Sequence, residues 1–357
     1  MSYKILAINP GSTSTKIALY ENEEEVLCKT LDHQSEEIEK YARVQDQFEM
    51  RKEVVIRFLK ENHYSIEEIS AVVGRGGMLP PVKSGAYRVN TMMVDRLKNN
   101  PITEHASNLG ALIAYEIANS IGVTAYIYDS VRVDELKDIA KISGMSDIPR
   151  SSTSHVLNSR AMAMKVAKKY GKKYDELNFI VTHLGGGISL SVHEKGKMVD
   201  IIADDEGPFS PERAGRIPCK ELIDLCYSGK YDKKTMHKKL RGDGGLKDYL
   251  GTVDVREVVK AIEHGDKNAE LILEAMAYQV SKGIGELATV VEGKVDAIVI
   301  TGGIAYSKLI TDWIKNRVQF IAPVEIMPGE NEMESLSLGT LRVLRGEEEA
   351  KEYYEII

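Results

Sequence analysis

NPGSTSTK, Asn9 to Lys16, gathers a glycine, two serines and a lysine directly behind an apolar run. Gly11 lets the backbone approach a ligand, Ser12 and Ser14 add hydroxyl donors, and Lys16 adds positive charge, a set suited to phosphate oxygens. The same string also reads as an ordinary hairpin turn carrying polar residues. A second run, Gly185-Gly186-Gly187, follows His183, whose ring can donate and can become cationic, or can be a satisfied core histidine at a strand end. A third, Gly302-Gly303 in IVITGGIAYS, joins an apolar run to a helical stretch. Backbone N–H groups there can meet an anion or a nucleotide, or form only a tight turn. The Walker A pattern and the DFG and HRD strings of protein kinases do not occur, so an ATP site here belongs to another fold. Gly283-Ile-Gly285 before Ala288 imitates a dinucleotide fingerprint, but it lies within a helical stretch and reads as small-residue packing.

The elements that must hold these loops follow from hydrophobic periodicity. Alternation marks strands over Tyr3–Asn9, Thr15–Tyr20 and Glu25–Leu31, an antiparallel meander. Helical spacing covers Glu36–Asn62, Thr103–Ser120 and Ser154–Tyr170, the last with Ser154 as its cap and Gly171 as its stop. Short apolar runs at Ala71–Val73 and Ala125–Tyr128 read as buried strands. From Asn178 the opening pattern returns, strand, glycine turn, strand, charged tip, strand, with His183 in the place of Asn9 at an offset of 183 − 9 = 174 residues. A repeat this long points to two related domains. Further helices are expected over Cys219–Tyr227, Asp254–Glu263, Lys267–Val290 and Met333–Glu352, and a buried strand over Ala297–Thr301.

At 357 residues with 43% apolar content, the chain can build two cores. The 47 basic and 54 acidic residues leave a net charge of −7 with no dense basic block, which argues against nucleic acid. No run reaches membrane-spanning length or forms a signal-peptide core. Cys28, Cys219 and Cys226 are odd in number and lack CxxC spacing, which fits a reducing cytoplasm and supports neither a disulfide framework nor zinc.

Read together, NPGSTSTK, GRGG at Gly74–Gly77, EHASNLG at Glu104–Gly110, YDS at Tyr128–Ser130, THLGGG at Thr182–Gly187, DDEGPFSPERAGRIP at Asp204–Pro218, TVDVRE at Thr252–Glu257 and TGGIA at Thr301–Ala305 span nearly the whole chain. In order and spacing the sequence resembles the butyrate kinases, a branch of the acetate kinase group in the superfamily of acetate and sugar kinases, heat-shock chaperones and actin. The resemblance implies an α/β fold of two duplicated actin-like (ribonuclease H-like) domains, each a mixed sheet with flanking helices, with the active-site cleft between them. The domains are expected over residues 1–148 and 149–332, with a helix at 333–357 returning to the first. The implied activity is reversible transfer of the ATP γ-phosphoryl group to the carboxylate of butyrate or isobutyrate, with Mg2+. An acetate or propionate kinase, another small-molecule kinase of the superfamily, and an ATP-regulated binding protein are the alternatives.

By the same resemblance Asn9, Ser12, Ser14 and Lys16 lie near the transferred phosphoryl group and its metal, and Gly185, Gly186 and Gly187 face them. His183 contacts the moving group. Arg75 and one arginine of PERAGRIP, Arg216 in preference to Arg213, hold the carboxylate and neutralise the phosphoryl group. His105 lines the substrate site, where Arg150 and His155 are also placed. Asp254, Val255, Arg256, Gly302 and Gly303 hold the nucleotide. Asp129 and Glu332 are the metal-side acids, with Glu330 and Glu334 as rivals of Glu332. Where acetate kinases carry Phe-His, this chain has Arg150-Ser151, which implies a roomier acyl pocket. Expected partners are ATP or ADP, a small carboxylic acid and further copies of the chain in a homo-oligomer, with no nucleic acid and no membrane.

Overall fold

A computed structural model describes residues 2–355, and its contacts separate two units, Met1–Asp134 with Asn331–Ile357, and Glu135–Glu330. In the first, β1 (Lys4–Pro10), β2 (Ser14–Glu21) and β3 (Glu24–Asp32) form the expected meander. Ile5 to Ile8 are buried without a break because β1 is covered on both faces, whereas β3 is an edge strand rich in exposed charge. β4 (Ala71–Arg75) runs parallel to β1, and β6 (Thr124–Tyr128) parallel to β4, with the short β5 (Ala86–Arg88) beyond it. The apolar helix Asn108–Ser120 packs on β4 and β6.

The second unit repeats this plan. β7 (Asn178–Leu184), β8 (Ile188–Glu194) and β9 (Lys197–Ile202) form its meander, and β10 (Ala297–Gly302) and β11 (Val324–Pro328) continue in parallel. The order β9-β8-β7-β10-β11 matches β3-β2-β1-β4-β6 of the first sheet. Each meander also has a register break between its second and third strands, at Leu19/Tyr20 and at Val192/His193. Helix Lys267–Ala288 covers one face of this sheet and helix Val156–Lys169 the other, giving two apolar layers. Gly283 lies against Leu190 in the first layer, which is the packing reading of that glycine pair.

Several expected elements differ. The single helix over Glu36–Asn62 is a short turn at Ser35–Ile38, a 3-10 turn at Val44–Gln47 and a helix at Phe48–Glu61. Arg43 is extended between them, and its N–H donates to Asp46, a cap that starts a new helix. The helix expected from Thr103 begins at Asn108. Ser154 does not cap its helix; its hydroxyl is buried against the Met198 sulfur, and His155 occupies the cap position. The last helix is Glu332–Leu344, after which Gly346 at φ 73° turns the chain into β12 (Lys351–Glu352), paired with β5. Periodicity gave no warning of β5 or β11, nor of helices Thr91–Asn99 and Lys233–Leu240.

Candidate active site

Parallel strands point their carboxyl ends, and the loops that leave them, toward one edge of a sheet, where α/β proteins bind ligands. In the first unit Asn9, Arg75 and Asp129 stand at or just after the carboxyl ends of β1, β4 and β6. In the second, His183, Gly302 and Gly329 hold the corresponding places on β7, β10 and β11. The duplicated topology therefore brings Asn9, Arg75, Asp129, His183 and Gly302 to strand edges, one edge in each unit.

At the first edge Glu332, opening the helix Glu332–Leu344, accepts a hydrogen bond from Asn9 Nδ2 at 2.5 Å and forms an ion pair with Arg75. Arg75 and Glu332 are both largely buried, so the pair is screened little by water. Asp129 is buried at φ 41°, and its Oδ1 accepts from the Gly85 N–H at 2.7 Å. A buried carboxylate in left-handed backbone is a costly arrangement of the kind that clusters at functional sites. Ser12 and Lys16 are exposed and Ser14 half-buried. His105 is exposed, its Nδ1 bonded to the hydroxyl of Ser107.

At the second edge His183 is buried and stacks on His155, ring centroids 4.0 Å apart and 11° from parallel. His183 Nδ1 lies 3.0 Å from Asn158 Oδ1, and Asn158 Nδ2 donates to the Glu330 carbonyl at 2.5 Å. Because that amide donates with its nitrogen, its oxygen is left to accept, which places the proton on His183 Nδ1. His155 Nδ1 bonds the Ser189 hydroxyl at 2.8 Å. Asn158 is a residue beside His183 that the sequence reading missed; its one signal is a polar run, Asn158 to Arg160, buried at the start of a helix.

The arginines expected at the site differ in their surroundings. Arg216, expected in the site, is 57% exposed and bonds Glu286 at 3.1 Å on helix Lys267–Ala288. Arg213 instead is 16% exposed, pairs with Asp204, and lies against the glycine loop. A Cβ on Gly187 would fall 2.2 Å from its Nη1, so only glycine lets the guanidinium lie there. Burial, with Arg241 nearby, lowers the Arg213 pKa to about 10, still charged at neutral pH. Arg150, expected at the substrate, clasps Asp200 at 3.0 Å, Glu206 at 3.1 Å and the carbonyls of Ala140 and Ile201. Its donors are committed to holding this segment in place.

Beside the glycine loop the second unit carries an open cavity of about 930 Å³. Gly185, Gly186 and Gly303 form one side, and Val255, Arg256 and Val259 of helix Val255–Glu263 form another. Asp254 caps that helix, accepting from the Arg256 N–H at 2.8 Å and from its guanidinium at 2.6 Å. These hydrogen bonds hold the Asp254 carboxyl at about 2, below its usual range. The Arg256 side chain is thus directed to Asp254. Gly302 adopts φ 91°, and a Cβ there would meet the Leu184 backbone at 2.3 Å, so the turn that brings Gly303 to the cavity requires glycine. Mostly apolar walls with a few polar groups suit a nucleoside.

Among the described residues no group of three or more His, Cys, Asp or Glu side chains is arranged to hold a metal ion. Mg2+ arriving with a nucleotide would need only one or two protein carboxylates, taking its other ligands from phosphate and water.

Residues 150–335 match the model of the acetokinase family. Over 99% of its length the chain is 51% identical to butyrate kinase 2 of Clostridium acetobutylicum, covering 100% of that protein. It is 49% identical to a probable butyrate kinase of Clostridium botulinum, with the same coverage of each chain. Among solved structures, acetate kinase of Porphyromonas gingivalis aligns with a TM-score of 0.80 at 18% identity, covering 95% of this chain and 99% of that one. Acetate kinase of Entamoeba histolytica gives 0.74 at 17%, covering 94% and 98%. At those identities the structural likeness concerns the fold.

Proposed function

This chain belongs to the acetokinase family, and from that premise we propose that it transfers the γ-phosphoryl group of ATP, directly and reversibly, to the carboxylate of butyrate or isobutyrate. The enzyme class, a short-chain fatty acid kinase with a carboxyl acceptor, rests on relatives about half identical over the full chain. The observation that carries the nucleotide half of the reading is the 930 Å³ cavity beside Gly185, Gly186 and Gly303.

A fatty acid carboxyl of pKa ~4 is ionised near neutral pH, so the acceptor needs no general base. Like-charge repulsion is the obstacle, and positioned cations are the remedy. In this reading Arg75, for the acid carboxylate, and Lys16 supply positive charge at the first edge, and Arg213 and His183 supply it for phosphoryl oxygens at the second. Ser12 and Ser14 contribute donors, and Val255 with Gly303 borders the nucleoside. With Nδ1 protonated, His183 donates through Nε2 only as an imidazolium. Bound Mg2+ would neutralise phosphate charge, and Glu332 and Asp129 are the carboxylates proposed to hold it, directly or through water. No helix among the described residues is long and apolar enough to cross a membrane, and the three cysteines are free. A cytoplasmic location and a homo-oligomeric state complete the proposal. Trapping acyl phosphate as hydroxamate with ATP and C2 to C5 acids tests it; absence of product with every acid would remove it.

A further inference from the structure

Arg51, on helix Phe48–Glu61, is 0% exposed. The partly buried Arg75, Arg150, Arg213 and Arg342 each meet a carboxylate. Arg51 meets none. Its Nε and Nη2 donate to Gln47 Oε1 at 3.0 and 2.8 Å, and its Nη1 to the Gly11 and Ser14 carbonyls at 2.8 Å each. Nη2 also reaches the Ser12 carbonyl at 3.0 Å, and Nη1 the Thr15 hydroxyl at 3.2 Å. Every N–H is thus satisfied, and every acceptor is neutral. Burial lowers the pKa to about 10, which leaves the group charged at neutral pH. The nearby His33 is itself disfavoured as a cation by burial and by Arg51.

The consequence for the Gly11–Ser14 loop follows from peptide geometry. No peptide bond is cis, and in a planar trans peptide a carbonyl and the following N–H point in opposite directions. Drawing the Gly11 and Ser12 carbonyls inward onto Arg51 therefore turns the N–H groups of Ser12 and Thr13 outward. Both residues are exposed, and neither N–H meets an acceptor among the described residues. Outward successive N–H groups form an anion-binding concavity.

We propose that Arg51 is a positioning residue of the phosphate site: it holds the Ser12 and Thr13 amides toward a phosphoryl group of ATP and lacks a carboxylate because that anion supplies the balancing charge. The inference rests on the reading of Asn9–Lys16 as a phosphate loop. Arg51→Lys keeps the charge and loses the fork, and Arg51→Gln loses both. The expected result is a kcat reduced by on the order of tenfold to a hundredfold in Arg51→Lys, with KM for ATP within about twofold. Arg51→Gln should lose kcat similarly and raise KM for ATP about tenfold, because it also removes charge. Amide exchange on the wild-type enzyme supplies a readout independent of variant folding. ATP, and more weakly inorganic pyrophosphate, should slow exchange at Ser12 and Thr13 at least about tenfold, an effect that hydrogen bonding to the anion produces. Unchanged exchange at these amides overturns the inference even if acyl phosphate is made, whereas absence of acyl phosphate sinks the enzyme assignment instead. Folded Arg51→Lys and Arg51→Gln variants that both keep kcat and KM within twofold would also overturn it. Should both fail to fold, the wild-type exchange result decides.

Discussion

Arg213, and not Arg216, should be the second arginine of the reaction, and the two environments predict opposite responses to substitution. The Arg216–Glu286 pair is exposed on both sides, 57% and 51%, and such pairs contribute about 0–1 kcal/mol. Arg216→Ala should therefore leave Tm and kcat nearly unchanged. The Arg213–Asp204 pair is 16% and 12% exposed, a setting in which removing one partner costs about 3–5 kcal/mol. Arg241 Nη2 lies 3.3 Å from the same Asp204 oxygen and would retain part of the pairing, so a loss of about 2–3 kcal/mol is expected for Arg213→Ala. For a unit of this size that corresponds to a fall in Tm of about 5–10 °C. A donor aimed at developing phosphoryl charge contributes about 10²–10³ in kcat, well beyond what partial unfolding at 25 °C would remove. Arg213→Lys separates the effects: charge and most stability remain, but the compact ammonium cannot reproduce the planar fork, so kcat should still fall at least about tenfold. Gly187→Ala should imitate it, because its Cβ would occupy the place of Nη1. Steady-state hydroxamate kinetics with thermal melts on these variants is the assay. A tenfold loss in Arg216→Ala beside an unaffected Arg213→Lys would refute the reasoning.

Gly303 borders the cavity, and a Cβ there meets nothing within 4 Å. Gly303→Leu should keep its Tm within about 2 °C and raise KM for ATP about tenfold by filling cavity volume; unchanged nucleotide affinity by calorimetry would place the nucleotide elsewhere. His193 is buried between the Tyr174 and Ser191 hydroxyls, and burial with Arg160 lowers its pKa to about 3. Below the unfolded pKa of ~6.5 the unfolded chain takes up a proton that the folded chain refuses, so stability falls as pH drops from 6.5 toward 3, by about 2 kcal/mol at pH 5. Denaturant titrations should show this slope in wild type and a flatter one in a folded His193→Gln variant; equal slopes would remove His193 as its source. With Arg150-Ser151 in the place of the Phe-His of acetate kinases, butyrate should give a higher kcat/KM than acetate, and the reverse order in a C2 to C5 panel would contradict the roomier pocket.

Residues whose roles follow from strand ends were legible in the sequence, and residues whose roles follow from partners distant along the chain were not. Asn9, Arg75, His183 and Gly302 each end or follow an apolar run, so the strands that periodicity marks account for their place at the strand edges, although Arg75 was singled out by the family resemblance. Asp254 was likewise singled out by the resemblance, and the structure shows it capping its helix. Arg213 and Arg216 lie three residues apart in a loop without regular structure, where spacing carries no directional rule, and packing against Gly187 distinguishes them. Arg150 looked available because its partners lie 50 and 56 residues onward. Arg51 was hidden twice, first by a helix read through the break at Arg43, then by carbonyl acceptors that leave no mark on side-chain identity. Duplication made the first group conspicuous, because a strand end that recurs at a fixed offset is hard to ascribe to composition. It offered no such help for Arg51, since the second meander is followed by the DDEGPFSPERAGRIP loop and not by a helix at the same distance. The first glycine loop is therefore held by Arg51 through its carbonyls, whereas Arg213 packs beside Gly187 of the second and pairs with Asp204.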